Sequence, residues 1–201
     1  MPMKTKRHWN SCLAGLVLLA GLPLGAAPLT WFPGPALDSA VSGAATTVYS
    51  GGNNLLIGGD TYSVLALAST NRYWTALTPF YDNAYAPGAV AQGGTITVYG
   101  GNDGTSATRT VIGYSSSDGS QILASMSAAR AYLGYAPDRN GNAYAFGGLD
   151  DSGQPLASAE RYNPDNNTWS AIASLPAARY NFPAVFNRTN YISLLSGLKS
   201  Q

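Results

Sequence analysis

Short apolar runs that end in a pair of small residues recur along this 201-residue chain. Leu55-Leu56-Ile57-Gly58-Gly59, Thr97-Val98-Tyr99-Gly100-Gly101 and Tyr144-Ala145-Phe146-Gly147-Gly148 are three copies, and Leu194-Leu195-Ser196-Gly197 is a degraded fourth. The small pairs are 42, 47 and 49 residues apart. A period of roughly 20–50 residues means that one small module is repeated and stacked on its neighbours. Two further landmarks keep the same phase. Trp31, Trp74 and Trp169 precede the next small pair by 27, 26 and 27 residues, with Gln121 at that position in the remaining copy. Seven residues before the Trp position stand Tyr162 and Tyr114, replaced by Leu67 in the first copy.

The clearest copy reads as four short strands. Tyr132 to Pro137 is predicted as the first. Asp138 to Asn142 follows as a turn, because Asn-Gly tolerates positive φ. Ala143 to Phe146 is predicted as the second strand, ending at the diglycine, and Leu149 to Gln154 as a polar loop. Ala157 to Tyr162 and Thr168 to Ile172 are the third and fourth strands, joined by a turn at Pro164-Asp165-Asn166-Asn167. Composition agrees. Past the first six residues the good helix formers Glu and Lys occur only as Glu160 and Lys199, whereas the chain holds 23 Gly, 12 Pro and 13 Tyr. Four antiparallel strands in about 47 residues make one blade of a propeller. The glycines permit close backbone approach, and the aromatic residues offer large faces that pack blade on blade. One blade alone cannot bury both its faces, so neighbours must stack.

The amino terminus reads as an export signal over residues 1–27, with the repeat region at 28–201. Lys4, Lys6 and Arg7 precede an apolar run of 13 residues from Cys12 to Leu24, too short for the roughly 20 residues of a spanning helix. Gly25-Ala26-Ala27 resembles a cleavage site, although Pro28 after it opposes cutting. A membrane partner is expected only if this segment stays uncleaved, and the expected location is secreted, periplasmic or cell-surface. His8 and Cys12 are the only His and Cys of the chain. The mature protein then has no disulfide, thiolate, imidazole base or His-containing triad. Charged residues are only 10% of the chain, and the net charge of +1 rests on the three cations of the leader, so no nucleic-acid partner is expected.

These residues resemble the kelch repeat. Ala159-Glu160-Arg161-Tyr162-Asn163-Pro164-Asp165-Asn166-Asn167-Thr168-Trp169, followed by Leu175-Pro176-Ala177-Ala178-Arg179, looks like the Tyr-x-Pro-x-x-x-x-Trp segment and Pro-x-x-Arg continuation of that family. Together with Phe146-Gly147-Gly148 upstream, the likeness covers residues 30 to 197. It implies an all-β, kelch-type β-propeller segment of three to four four-stranded blades. Kelch rings usually close with six or seven blades, so this one is expected to be incomplete. The Trp31 segment resembles the last strand of a blade whose other strands come from the chain's far end. Three alternatives then stand: a fragment, a truncated gene product, or a partial ring that pairs with a copy of itself through its open blade edges.

The structural motif positions are Gly58, Gly59, Gly100, Gly101, Gly147, Gly148, Trp74, Tyr114, Tyr162 and Trp169. Arg130 and Arg179 occupy equivalent places before a first strand, each followed two residues on by Tyr132 or Asn181. Similar kelch propellers use arginines in this region to hold acidic peptides, so these four residues are the candidate ligand-binding set. The competing expectation is a structural arginine paired with a neighbouring blade's backbone or carboxylate. Asp103, Asp150 and Asp151 follow diglycines and suit either calcium or ordinary turns; no EF-hand spacing is present, and turns are favoured. Ser115-Ser116-Ser117-Asp118-Gly119 reads as a strand-joining turn, and Asn166-Asn167-Thr168 and Asn187-Arg188-Thr189 match the glycosylation pattern. No catalytic residue, metal site or cofactor is expected. The expected function is an exported, non-catalytic module whose loops meet a protein or glycan. The alternative is a fragment of a propeller enzyme, a carbohydrate-active isomerase or oxidase, with its catalytic residues outside this chain.

Overall fold

A computed structural model describes residues 34–59, 64–68, 70, 73–77, 85–115, 117–187 and 191–199. The leader and Trp31 lie outside the described residues. Each of the three full copies is one four-stranded antiparallel sheet with its strands in sequence order. The first blade holds β1 (Ala44–Tyr49), β2 (Asn53–Gly58), β3 (Val64–Leu67) and β4 (Thr75–Leu77). The second holds β5 (Gly88–Gln92), β6 (Thr95–Tyr99), β7 (Val111–Ser115) and β8 (Gly119–Ile122). The third holds β9 (Gly134–Pro137), β10 (Ala143–Phe146), β11 (Ala159–Asn163) and β12 (Thr168–Ile172). The fourth is partial. In it β13 (Arg179–Tyr180) pairs with β16 (Leu198–Lys199), and β14 (Ala184–Phe186) with β15 (Ile192–Leu194).

The inner strands are apolar on both faces because each middle blade is packed on both sides. Ile96 and Val98 of β6 point into a cluster with Ala45, Leu55, Ile57 and Val64 of the first blade. Tyr99, one residue on, points the other way, into a cluster with Leu133, Ala143, Ala145 and Tyr162 of the third blade. In β10, Ala143 and Ala145 meet the second blade, while Tyr144 and Phe146 face Phe182, Ala184 and Ile192 of the fourth. Small residues on one face and large ones on the other let successive sheets interlock at interior density.

The phased aromatics are the outer ties of this stack. Trp169 lies with its ring 5.4 Å from that of Tyr99 at an edge-on angle of 62°, and its Nε1 donates to the Ala124 carbonyl at 2.9 Å. Ala124 belongs to the linker that follows the second blade. Tyr162 is buried, its ring 5.3 Å from Trp169, and donates to Asn167 Oδ1 at 3.0 Å. Trp74 repeats the tie, donating to the Pro35 carbonyl at 3.3 Å. Tyr114 packs against the cluster between the first two blades. Trp169→Phe keeps most of the ring and loses the indole donor, so a stability loss of about 1 kcal/mol is expected in urea unfolding.

Each diglycine sits at positive φ, and the second and third are capped by the next blade. Gly100 and Gly101 have φ of 67° and 95°, and Gly147 and Gly148 have 53° and 98°. Gly101 N–H donates to the Arg130 carbonyl, and Gly148 N–H to the Arg179 carbonyl, both at 2.9 Å. Gly58 and Gly59 share the conformation, at 77° and 91°. So does the degraded copy, where Ser196 and Gly197 stand at 58° and 105°.

Two expectations need correction. The first strand of the third blade begins at Gly134 rather than Tyr132, because Tyr132 has φ of 54° and cannot continue a strand. The third begins at Ala159, two residues later than the sequence pattern predicts.

Candidate binding face

Just before each inner strand the chain passes through one left-handed residue. Gly43, Ala86, Tyr132 and Asn181 have φ of 67°, 55°, 54° and 55°. Each lies 14 or 15 residues before the first small residue of its copy. Three of the four carry a Cβ, which makes this conformation costly in an isolated chain. Hydrogen bonds hold it. Ala86 N–H donates to the Gly43 carbonyl, Tyr132 N–H to the Ala86 carbonyl at 3.0 Å, and Asn181 N–H to the Tyr132 carbonyl at 2.8 Å. These bonds step from blade to blade around the inner edge of the stack. Gly43 and Asn181 are residue types that tolerate positive φ; Ala86 and Tyr132 are not, and they hid this repeat from sequence reading.

The ladder floors a depression of about 400 Å³, lined by residues of all four blades, among them Ser42, Tyr85, Tyr132, Tyr135, Asn181 and Phe182. The rings of Tyr85 and Tyr132 meet edge to face at 5.5 Å and 72°. The Tyr85 hydroxyl lies 3.2 Å from Ser42 Oγ. Tyr135 reaches past the second blade to the first: its hydroxyl accepts from Thr46 N–H at 3.0 Å and donates to the Thr46 carbonyl at 3.3 Å. Burial pushes the Tyr135 phenol above its usual range, against the pull of the Thr46 bonds, so it stays a neutral donor at physiological pH. Among the described residues, no Asp, Glu, Lys, Arg or His side chain lines the depression. Aromatic faces with neutral donors and acceptors suit an uncharged ligand, and the volume suits a small one or a few residues of a peptide.

Tyr132 and Asn181 of the candidate ligand set therefore reach the depression, and the two arginines do not. Arg130 is fully buried. Its Nη1 donates to the carbonyls of Gly147 at 2.9 Å and Ser158 at 3.0 Å, and its Nη2 to Glu160 Oε1 at 2.7 Å. Glu160 also accepts from Ser127 N–H at 2.8 Å and Ala128 N–H at 3.3 Å. Burial raises the Glu160 pKa, but the Ser127 amide and the Arg130 guanidinium outweigh it and hold the carboxyl below its usual range. Arg179 is half-buried and repeats the first of these bonds: its Nη1 donates to the Ser196 carbonyl at 3.2 Å, 17 residues on, as Gly147 is from Arg130. Both arginines thus read the first carbonyl of their own blade's small pair. The residue equivalent to Glu160 would lie 49 positions on, past residue 201. The expectation that these arginines hold an acidic peptide does not fit this geometry.

The aspartates serve turns. Asp103 Oδ1 accepts from the amides of Thr105 at 2.9 Å and Ser106 at 3.0 Å, which hold its carboxyl below the usual range. Asp150 Oδ1 accepts from Ser152 and Gln154, and Asp151 is exposed. Among the described residues no group of three His, Cys, Asp or Glu side chains is placed to hold a metal ion. Asp118 accepts from the hydroxyls of Ser115 and Ser117 in the hairpin joining β7 and β8, in accord with the turn reading.

The family model of the kelch motif matches residues 140–176. A stretch of 57 residues is 42% identical to alpha-scruin of Limulus polyphemus; it covers 28% of this chain and 6% of that protein.

Proposed function

This chain is built of kelch repeats, and from that premise we propose that it is an exported, non-catalytic module that binds a partner protein through the depression at the inner edge of its blades. Kelch repeats generally mediate protein binding, and a rigid blade stack holds loops in fixed positions for that purpose. The observation that carries the reading is the depression itself: four blades contribute aromatic and neutral polar groups to one concave surface, with no charged side chain among its described residues. An uncharged segment of the partner, with an aromatic or proline side chain to lie on Tyr85 and Tyr132, matches that chemistry. The absence of thiol and imidazole after Cys12 supports a role without catalysis. The short apolar run behind Lys4, Lys6 and Arg7 supports export.

The test is a screen of immobilised peptides, neutral and acidic, beside neutral glycans, comparing the wild-type chain with Tyr132→Asn. Asparagine tolerates the left-handed backbone that position requires and removes the ring. Neutral peptides are expected to bind, and the variant to bind them at least about tenfold more weakly, a change equivalent to about 1.4 kcal/mol. Unaltered circular dichroism would show an intact fold. Preference for acidic peptides, preference for glycans, or binding indifferent to the substitution would overturn the proposal.

A further inference from the structure

The three interfaces between blades are all of one kind, and among the described residues both ends of the stack leave apolar side chains exposed on their outward sides. In β1, Ala45 and Tyr49 face the second blade, so the alternation of the strand turns Val48 away from it. Val48 is 60% exposed. On the same outward side lie Leu56 of β2 and Leu65 and Leu67 of β3, all half-buried, with Leu56 paired to Leu65. These four stand where Ala91, Val98, Ile112 and Tyr114 of the second blade pack against the first. At the other end, Ala184, Ile192 and Leu194 face the third blade. Alternation then turns Val185, Tyr191 and Leu195 outward, at 51%, 70% and 53% exposure. Val185 and Leu195 stand where Ala136 and Phe146, both buried, lie in the third blade. The backbone ladder ends in the same complementary way: it begins at Gly43, whose carbonyl receives the first bond, and ends at Asn181, whose N–H gives the last. The next bond in the series would run from a Gly43 N–H to an Asn181 carbonyl.

We propose that the outward face of the fourth blade in one copy of this chain stacks on the outward face of the first blade in a second copy, head to tail. The occupant follows from continuity: the same contact is already made three times within the chain, each time with apolar groups at equivalent positions and one bond of the backbone ladder. Such an interface joins two different surfaces, so its symmetry is heterologous. This inference is independent of the ligand assigned to the inner depression.

Sedimentation velocity over a dilution series of the 201-residue chain, with its leader removed if export cleaves it, tests the proposal. The wild type is expected to associate in a concentration-dependent way. Val48→Asp alone and Val185→Asp alone are each expected to weaken association at least about tenfold, because each would bury a carboxylate without a partner. Both positions are exposed in the single copy, so the fold is expected to survive, as circular dichroism would report. Ile122→Asp, at an 82% exposed site on β8 away from the end faces, is expected to change nothing. The decisive arm mixes the two weakened variants. One intact pair of faces remains in a head-to-tail contact, so the mixture is expected to form dimers that neither variant forms alone. A monomer at every concentration, association that survives both substitutions, or a mixture as weak as its components would overturn the proposal.

Discussion

Glu160→Ala is expected to lower the unfolding free energy by about 3–5 kcal/mol, the cost of stranding one partner of a buried ion pair. The whole stability of a domain is only about 5–15 kcal/mol, so the loss is severe. Arg130 has no exit: it is fully buried, and four bonds fix its guanidinium. Arg130→Met gives a different signature. Glu160, 2% exposed, then loses its cation but is itself able to take up a proton. The wild-type carboxyl has a folded pKa below its unfolded value, so its contribution is present above the unfolded pKa, near 4.3, and fades as pH falls through the folded one. In Arg130→Met, burial dominates and the folded pKa rises above the unfolded one. That group then costs stability at neutral pH and recovers as pH falls. Urea unfolding at pH 7 and pH 4.5 checks the sign: the gap between wild type and Arg130→Met is expected to shrink in acid. A gap that widens would show that the pair is not the source of the effect. Glu160→Gln, which keeps an acceptor for Ser127, gives a milder variant where Glu160→Ala fails to fold.

Gly147→Ala is expected to cost roughly 2–5 kcal/mol, combining left-handed strain with overpacking. A Cβ there would fall on the Arg179 carbonyl oxygen and close to that of Leu156 at 3.1 Å. The fourth copy provides the control within the same molecule. Ser196 shares the φ of Gly147, 58° against 53°, with no blade stacked beyond it among the described residues. Ser196→Gly relieves strain and is expected to stabilise by up to about 1 kcal/mol. One backbone conformation with opposite responses at two repeats is the measurable outcome, read from thermal or urea midpoints. Equal and small effects would mean that the blade-to-blade contact at the diglycine contributes little.

Much of the architecture was legible from spacing. Ala143–Phe146 and Thr168–Ile172 form strands with the bounds the pattern predicts, because alternation, turn chemistry and the diglycine all act within a few residues. Trp169 and Tyr162 lie in the contact between blades that their phase implied. The candidate site was legible only in part. Tyr132 and Asn181 reach the depression, while Tyr85, Tyr135 and Ser42 carry no motif. Arg130 and Arg179 stood out because they recur, and they recur to bind their own blade's carbonyls. Recurrence marks a structural role as readily as a functional one.

Residue order, read alone, settled the repeat and the strand class, since each depends on neighbours close in sequence. Folding in three dimensions settled which arginine is buried, which residues are forced left-handed and which apolar side chains among the described residues stand exposed. Those outcomes turn on groups such as Tyr135 and Thr46, 89 residues apart, whose meeting no local pattern encodes.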